Sequence, residues 1–170
     1  MSGGPEVAGG RSALVVTASD RGASGERADA TGEGVAGRLQ RLGFAVERRV
    51  VPDDRPIIEN AIRDGASRFP LVVTTGGTGL TPRDVTPQAT LAVIDYEVPG
   101  LAEAMRAAGR RQTPMADLSR SVVGVAGRSL VVNLPGSPKA ALESIEAIVP
   151  VLEHALETLA GPFDHAAKSH

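Results

Sequence analysis

The stretch from residue 71 to residue 90, LVVTTGGTGLTPRDVTPQAT, constrains the fold of this chain more than any other. It begins as a short apolar run, becomes a loop with three glycines in four positions, and ends near Thr86-Pro87, a pair typical of a helix start. A glycine cluster is costly in backbone entropy, so it indicates a sharp turn or the close approach of a ligand. The stretch therefore predicts a buried strand, a ligand-facing loop and a short helix with Thr86 as its N-cap.

The rest of the chain repeats this order of apolar runs and helical patterns. Strands are expected at residues 12–17, 44–51, 71–75, 121–126 and 129–134, and helices at 31–42, after Asp54, after Thr86, at 101–108 and after Ser137. Residues 95–100 are expected to be irregular, Gly127-Arg128 fits a type II′ hairpin turn, and Pro150 predicts a kink or break in the last helix. This alternation predicts a three-layer α/β/α fold, with a mostly parallel sheet and one antiparallel strand. We expect one domain at 12–161, a disordered leader at 1–11 and a tail at 162–170.

The composition excludes several kinds of chemistry. The chain has no cysteine, which rules out disulfides, thiolate nucleophiles, Fe–S clusters and cysteine zinc sites. It has three histidines, and two of them lie in the last six residues. Chemistry is therefore expected from carboxylates, hydroxyls, Lys, Arg and backbone N–H groups, with a hard cation such as Mg²⁺. A net charge of −2 and scarce aromatics argue against a nucleic-acid partner. No secretion signal or membrane-spanning run is visible, so we expect a cytoplasmic protein with no membrane partner.

Two loops resemble phosphate sites. Successive N–H groups in a glycine-rich turn form an anion-binding nest, and a helix start adds positive potential. The first loop offers Thr75, Gly76, Gly77, Thr78 and Gly79; the second offers Asn133, Pro135, Gly136, Ser137 and Lys139. The spacing matches neither a Walker A loop nor GxGxxG. The alternatives are a tight turn without a ligand at the first loop, and a solvated Lys139 at the second.

Three carboxylates follow predicted strands. Asp20, preceded by Ser19, follows the first strand, Asp53 follows the second, and Asp84 lies beyond the glycine loop. If those strands are parallel neighbours, the carboxylates meet at one sheet edge, where they could hold Mg²⁺ beside a phosphate. Ordinary loop capping is the alternative for each one alone, and Arg83 beside Asp84 is compatible with a surface pair worth ~0–1 kcal/mol. Together with two phosphate loops, they predict metal-assisted phosphoryl or nucleotidyl transfer, with Asp84 as the leading candidate.

The motifs that carry this chemistry resemble one family. TTGGTG followed by RDVTP is similar to the signature of the Mog/MoaB/gephyrin-G family of molybdenum cofactor biosynthesis proteins. SDR, PDD, LSR and NLPGSPKA also match the family pattern and occur in family order, so the resemblance covers residues 12–161. RDVTP is closer to the Mog-like branch. One departure is Gln88, where many relatives carry an acid; it weakens any role for a carboxylate at that position.

The resemblance implies a trimeric molybdopterin-binding domain that transfers AMP from Mg-ATP to the terminal phosphate of molybdopterin. Pyrophosphate is released, and adenylyl-molybdopterin passes to a molybdenum-insertion protein. By position, Asp53 and Asp84 match acidic residues implicated in catalysis, and they are the candidate magnesium ligands. Gly76, Gly77, Thr78 and Gly79 match the phosphate loop, and Ser119, Pro135, Gly136 and Ser137 match a second ligand loop. Two alternatives stay open: a non-catalytic molybdopterin carrier or scaffold of the same family, and a different phosphate-binding α/β enzyme.

Overall fold

The computed structural model describes residues 11–163, so the predicted leader, apart from Arg11, and the tail after Phe163 lie outside the described residues. The strands are β1 Ser12–Ala18, β2 Ala45–Val51, β3 Leu71–Thr75, β4 Tyr96–Glu97, β5 Val123–Ala126 and β6 Ser129–Leu134. The helices are α1 Asp20–Ala23, α2 Ala30–Arg41, α3 Arg55–Arg68, α4 Thr86–Leu91, α5 Pro99–Arg110 and α6 Pro138–Ala160, with a 3₁₀ helix at Pro114–Leu118. None of the helices within 11–163 combines the length and apolar character that crossing a membrane requires.

The six strands form one sheet in the order β2-β1-β3-β6-β5-β4. The pairs β2–β1, β1–β3 and β3–β6 are parallel, whereas β5 is antiparallel to both β6 and β4. The predicted sheet, mostly parallel with one reversed strand, is thereby confirmed. Gly127 has a φ of 61° in the hairpin, as the first position of a type II′ turn requires.

Both faces of the sheet are covered, because side chains alternate along each buried strand. Ala13 and Val15 of β1 pack with α2, α5 and α6, whereas Leu14 and Val16 pack with α3 and α4. The same alternation divides β3 and β6 between the two cores. The predicted three-layer α/β/α architecture is confirmed, and its short strands place several loops at each sheet edge.

Four local predictions differ from the structure. Residues 96–97 form β4 rather than an irregular link, because the N–H groups of Asp95 and Val98 donate to carbonyls of β5, a contact distant in sequence. The helix α5 continues past Gly109 to Arg110, and α6 is not broken at Pro150. Thr86 is the first helical residue of α4, not its N-cap; Val85 holds that position without a side-chain bond.

Candidate functional site

The loops with the predicted chemistry meet at the carboxyl edge of the parallel strands. Thr17 of β1 is in register with Thr75 of β3, and Thr75 with Leu134 of β6, so the loops that follow start at one level. From β1 the chain passes to β2, which lies on one side of β1, and then to β3, which lies on the other side of β1. Such a reversal of strand order opens a crevice at the carboxyl edge, where ligands bind in open α/β sheets.

The glycine loop is built from positions that require glycine. Gly76 and Gly77 have φ values of 86° and 70°, in the left-handed region that other residues rarely adopt. A Cβ on Gly76 would lie 2.5 Å from the carbonyl oxygen of Ala18, and one on Gly77 would clash with Thr86. The Thr86 hydroxyl is buried and has no hydrogen-bond partner within the described residues. The backbone therefore turns sharply here and lies tightly against its neighbours.

Asp20 and Asp53 hold the first two loops together. The N–H of Asp20 donates to Asp53 Oδ2 at 3.1 Å, and the N–H of Asp53 donates to Asp20 Oδ1 at 2.9 Å. Arg83 donates to Asp20 Oδ2 through Nε at 3.1 Å and Nη2 at 2.6 Å. Arg83 thus pairs with Asp20 across the site, and not with the adjacent Asp84.

The pKa values of Asp20 and Asp53 are shifted in opposite directions by their surroundings. The hydrogen bond from Arg83 lowers the pKa of Asp20, helped by the N–H of Asp53. Burial raises the pKa of Asp53, and the charge of Asp20 adds to this effect although the N–H of Asp20 opposes it. Asp53 is therefore a carboxylate whose negative charge is poorly compensated by the protein, which favours contact with a cation.

Asp84 lies over the far end of the glycine loop. Its Oδ2 accepts hydrogen bonds from the N–H and the hydroxyl of Thr81, at 2.9 and 2.8 Å. A Cβ on Gly79 would stand 2.9 Å from the same oxygen, so the carboxylate lies directly against the loop backbone. The charge of Asp84 also raises the pKa of Asp53. Within residues 11–163, however, no three carboxylates or histidines are grouped as a metal site, so Asp20, Asp53 and Asp84 do not form a ready-made cage.

Two cavities flank the glycine loop. The first, of about 270 Å³, is mostly apolar, and we call it the apolar cavity. It lies between the loop and α5, and its wall includes Thr78, Gly79, Met105, Met115, Leu118, Ser119 and Pro135. The second, of about 450 Å³, we call the helix-start cavity. Its wall includes Ser19, Asp29, Thr31, Thr75, Gly76, Gly136 and Ser137, with the first residues of α2 and α6 among them. The two predicted phosphate loops therefore form the ridge between the cavities.

Some predicted site residues lie away from these cavities. Asn133 is fully buried in β6, where its Oδ1 accepts from the N–H of Val122 and its Nδ2 donates to Thr74 and Thr90 hydroxyls. Both polar atoms of its amide are hydrogen-bonded within the fold, so the structure gives no support to the predicted ligand contact, which stays a prediction. Lys139 points to solvent with a side chain 79% exposed, 3.8 Å from Glu143, which corresponds to the solvated alternative.

The role of Asn133 leads to a stability prediction. Asn133→Ala would leave the N–H of Val122 and the hydroxyl of Thr74 buried without a partner, and we expect a loss of about 2–4 kcal/mol in the free energy of unfolding. Lys139→Ala, at an exposed position of α6, is the control and should change stability by less than about 0.5 kcal/mol. Urea denaturation of both variants measures the difference. Equal stability of the two variants would contradict the structural role of Asn133.

One polar network at the site was not predicted. Thr75 Oγ1 donates to Thr17 Oγ1 at 3.1 Å, and Thr17 Oγ1 donates to Asp29 Oδ2 at 2.8 Å. Asp29 also caps α2 by accepting a hydrogen bond from the N–H of Gly32, and its Oδ2 accepts a second one from Arg48 Nη2 at 2.9 Å. The sequence signal for the cap is an Asp directly before the helical pattern, whereas the threonine contacts depend on sheet register.

Comparisons with known proteins identify the family of this chain. Residues 14–154 match the family model described as a probable molybdopterin binding domain. Molybdopterin adenylyltransferase of Helicobacter pylori is 36% identical over 156 residues, covering 88% of each chain. Molybdopterin adenylyltransferase of Escherichia coli is 41% identical over 140 residues, covering 79% of this chain and 71% of the relative.

A solved structure extends the similarity to the whole fold. The molybdopterin biosynthesis enzyme MoaB of Thermus thermophilus is 50% identical, with a TM-score of 0.83 over 89% of this chain and 98% of the other. The predicted resemblance is thereby confirmed, and the two curated relatives carry the name of the nucleotidyltransferase branch. The chain belongs to the Mog/MoaB family of molybdenum cofactor biosynthesis proteins.

Proposed function

We propose that this chain is a molybdopterin adenylyltransferase, which transfers AMP from Mg-ATP to the terminal phosphate of molybdopterin and releases pyrophosphate. One observation carries the proposal: the glycine loop separates two cavities, and Asp53 and Asp84 lie against that same loop. Transfer between two bound phosphates requires two adjacent subsites and a group of charges at their junction. The names of the curated relatives support the same reaction.

The two cavities suit different parts of the substrates. α2 and α6 both begin at the wall of the helix-start cavity, so the positive ends of two helix dipoles favour phosphate groups there. The apolar cavity, lined by Met105, Met115 and Leu118, suits a flat ring system. Gly76 borders the helix-start cavity and Gly79 the apolar cavity, so phosphates bound on either side would meet across the loop.

The donor set fits magnesium that arrives with ATP. Mg²⁺ keeps several waters and binds proteins through one or two carboxylates together with substrate phosphates. Asp53 and Asp84 supply two such carboxylates, and the raised pKa of Asp53 reflects burial and nearby negative charge that a cation would offset. When bound, the cation would neutralise charge on the ATP phosphates.

The transfer itself requires little acid–base chemistry. An oxygen of the terminal phosphate of molybdopterin forms a bond to the α-phosphorus of ATP, the bond from that phosphorus to the bridging oxygen breaks, and pyrophosphate leaves. The attacking oxygen is already anionic, so no strong general base is needed. The chain contributes orientation, through the loops at 75–79 and 135–138, and charge balance at the reacting phosphates.

Further parts of the proposal follow from family membership. We propose a homotrimer in the cytoplasm, a single domain over residues 12–161, and hand-over of adenylyl-molybdopterin to a molybdenum-insertion protein. Ser19, Thr75, Ser119 and Ser137 border the cavities and are the proposed polar contacts to substrate.

A single assay separates enzyme from carrier. The purified chain is incubated with molybdopterin and Mg-ATP, and pyrophosphate is measured, with each substrate omitted in turn. The proposal predicts multiple equivalents of pyrophosphate per chain that require both substrates. Tight binding of molybdopterin without pyrophosphate would instead identify a carrier or scaffold, and stabilisation only by an unrelated nucleotide would identify a different enzyme.

A further inference from the structure

Arg120 fastens the segment that carries Asp84. Its Nε donates to the carbonyl of Gly79 at 2.8 Å and its Nη2 to the carbonyl of Asp84 at 2.7 Å. Its backbone N–H donates to the carbonyl of Thr78 at 3.0 Å. One guanidinium thus bridges the two ends of the segment 79–84. Arg120 borders neither cavity, so these contacts are directed at the loop and not at a ligand site.

The third nitrogen of the Arg120 guanidinium, Nη1, contacts α4. Its Nη1 donates to Gln88 Oε1 at 3.2 Å. All of the acceptors named for this side chain are neutral, and none of the ion pairs within residues 11–163 includes Arg120. Its contacts are therefore a fixed pattern of hydrogen bonds, to which the planar fork of an arginine is suited and a lysine is not.

A second arginine holds Arg120 to the scaffold. Arg106 of α5 donates through Nη1 to the carbonyls of Ser119 and Ser121, at 3.3 and 3.1 Å. These two carbonyls lie on either side of Arg120 in the chain. The contacts therefore run from α5, through the backbone around Arg120, to the carbonyls at both ends of the segment 79–84.

We propose that Arg120 is a positioning residue, which acts through Asp84 by holding the segment 79–84 closed so that this carboxylate stays over Gly79. Inside the closed segment, the N–H of Asp84 donates to the carbonyl of Thr81, while Thr81 donates back to the carboxylate. Opening the segment would move the carboxylate relative to both cavities. The inference rests on the proposed adenylyl transfer for its kinetic consequence, but the geometry that it predicts does not depend on turnover.

Replacing the guanidinium tests this role. In Arg120→Met we expect kcat to fall by about 100-fold, because small misplacements of a reacting group have effects of that size. The KM for Mg-ATP should change by less than about threefold, since Arg120 borders neither cavity. Arg120→Lys keeps the charge but has one donor nitrogen in place of three, so its kcat should lie between those of Arg120→Met and the unmodified chain. Hydrogen exchange of the Thr81 and Asp84 amides should become faster in both variants.

The control is Arg110→Met, which removes an equal charge from α5 where Arg110 pairs with exposed Asp117. Its kcat and the hydrogen exchange rates of its amides at residues 79–84 should match those of the unmodified chain. Unchanged kcat in Arg120→Met, a rise in KM alone, or unchanged exchange at Thr81 and Asp84 would each overturn the proposal. If Arg120→Met does not fold, Arg120→Lys is judged by the same three criteria. An unmodified chain without adenylyl transfer would overturn the proposed function, whereas the exchange measurement would still test the positioning role.

Discussion

Asp84→Asn is expected to lower kcat for adenylyl-molybdopterin formation by about 100- to 1,000-fold, the range found when one preorganised charge-stabilising group is removed. The asparagine oxygen can still accept from the N–H and hydroxyl of Thr81, so the loop should keep its shape. What is lost is the negative charge beside Gly79, where the proposed Mg-ATP phosphates lie. Molybdopterin affinity should change little, because both cavity walls remain intact.

Steady-state kinetics and molybdopterin binding, measured on the same preparation, check this expectation. Asp64→Asn is a suitable control, because Asp64 is an exposed carboxylate of α3 that pairs with Arg49 and Arg68 away from the site. The control should keep its full kcat. Turnover by Asp84→Asn at the unmodified rate would remove Asp84 from the catalytic group.

Asp53→Asn is expected to reduce kcat by about 100-fold and, at neutral pH, to make the protein more stable. Burial raises the pKa of Asp53 in the native state, so the native protein binds this proton more tightly than the unfolded chain does. The carboxyl group therefore favours folding below its ordinary pKa, and this contribution is lost as the pH rises through the raised native value. Asparagine avoids that loss and still accepts from the N–H of Asp20.

Urea denaturation at several pH values tests the sign. The variant should exceed the unmodified chain in stability at neutral pH, and the difference should shrink as the pH falls below the ordinary pKa of an aspartate, about 3.9. The pKa shift of Asp20 has the opposite sign, because the hydrogen bond from Arg83 lowers its pKa. Its contribution to stability is therefore present at neutral pH and is lost only in stronger acid. A variant less stable than the unmodified chain at every pH would show that the Asp53 charge is structurally required.

The sequence predicted most of the layer structure because its signals are local. Strand and helix periods, the helix starts after Asp54 and Ser137 and the Gly127 turn each involve residues a few positions apart, and the structure confirms them. The strand β4 was missed because its two residues are specified only by pairing with β5.

The site was predictable in part for the same reason. The glycine loop and the carboxylates follow strand ends, which the topology brings to one edge. The pairing of Arg83 with Asp20, 63 positions apart, and the contacts of Arg120 with Gly79 and Asp84 depend on how the loops pack. Asn133 shows why a polar residue at a strand end is ambiguous in a sequence, since its side chain is hydrogen-bonded to the neighbouring backbone and hydroxyl groups inside the fold.

The proposed function depends on the transfer of AMP between two phosphates that meet at the glycine loop. The most direct measurement uses ATP labelled in its α-phosphate, incubated with the chain, Mg²⁺ and molybdopterin, followed by separation of the pterin products. We expect the label to appear on molybdopterin, with one unlabelled pyrophosphate released for each label transferred. Label that remains in free nucleotides, while molybdopterin is bound at the site, would contradict it.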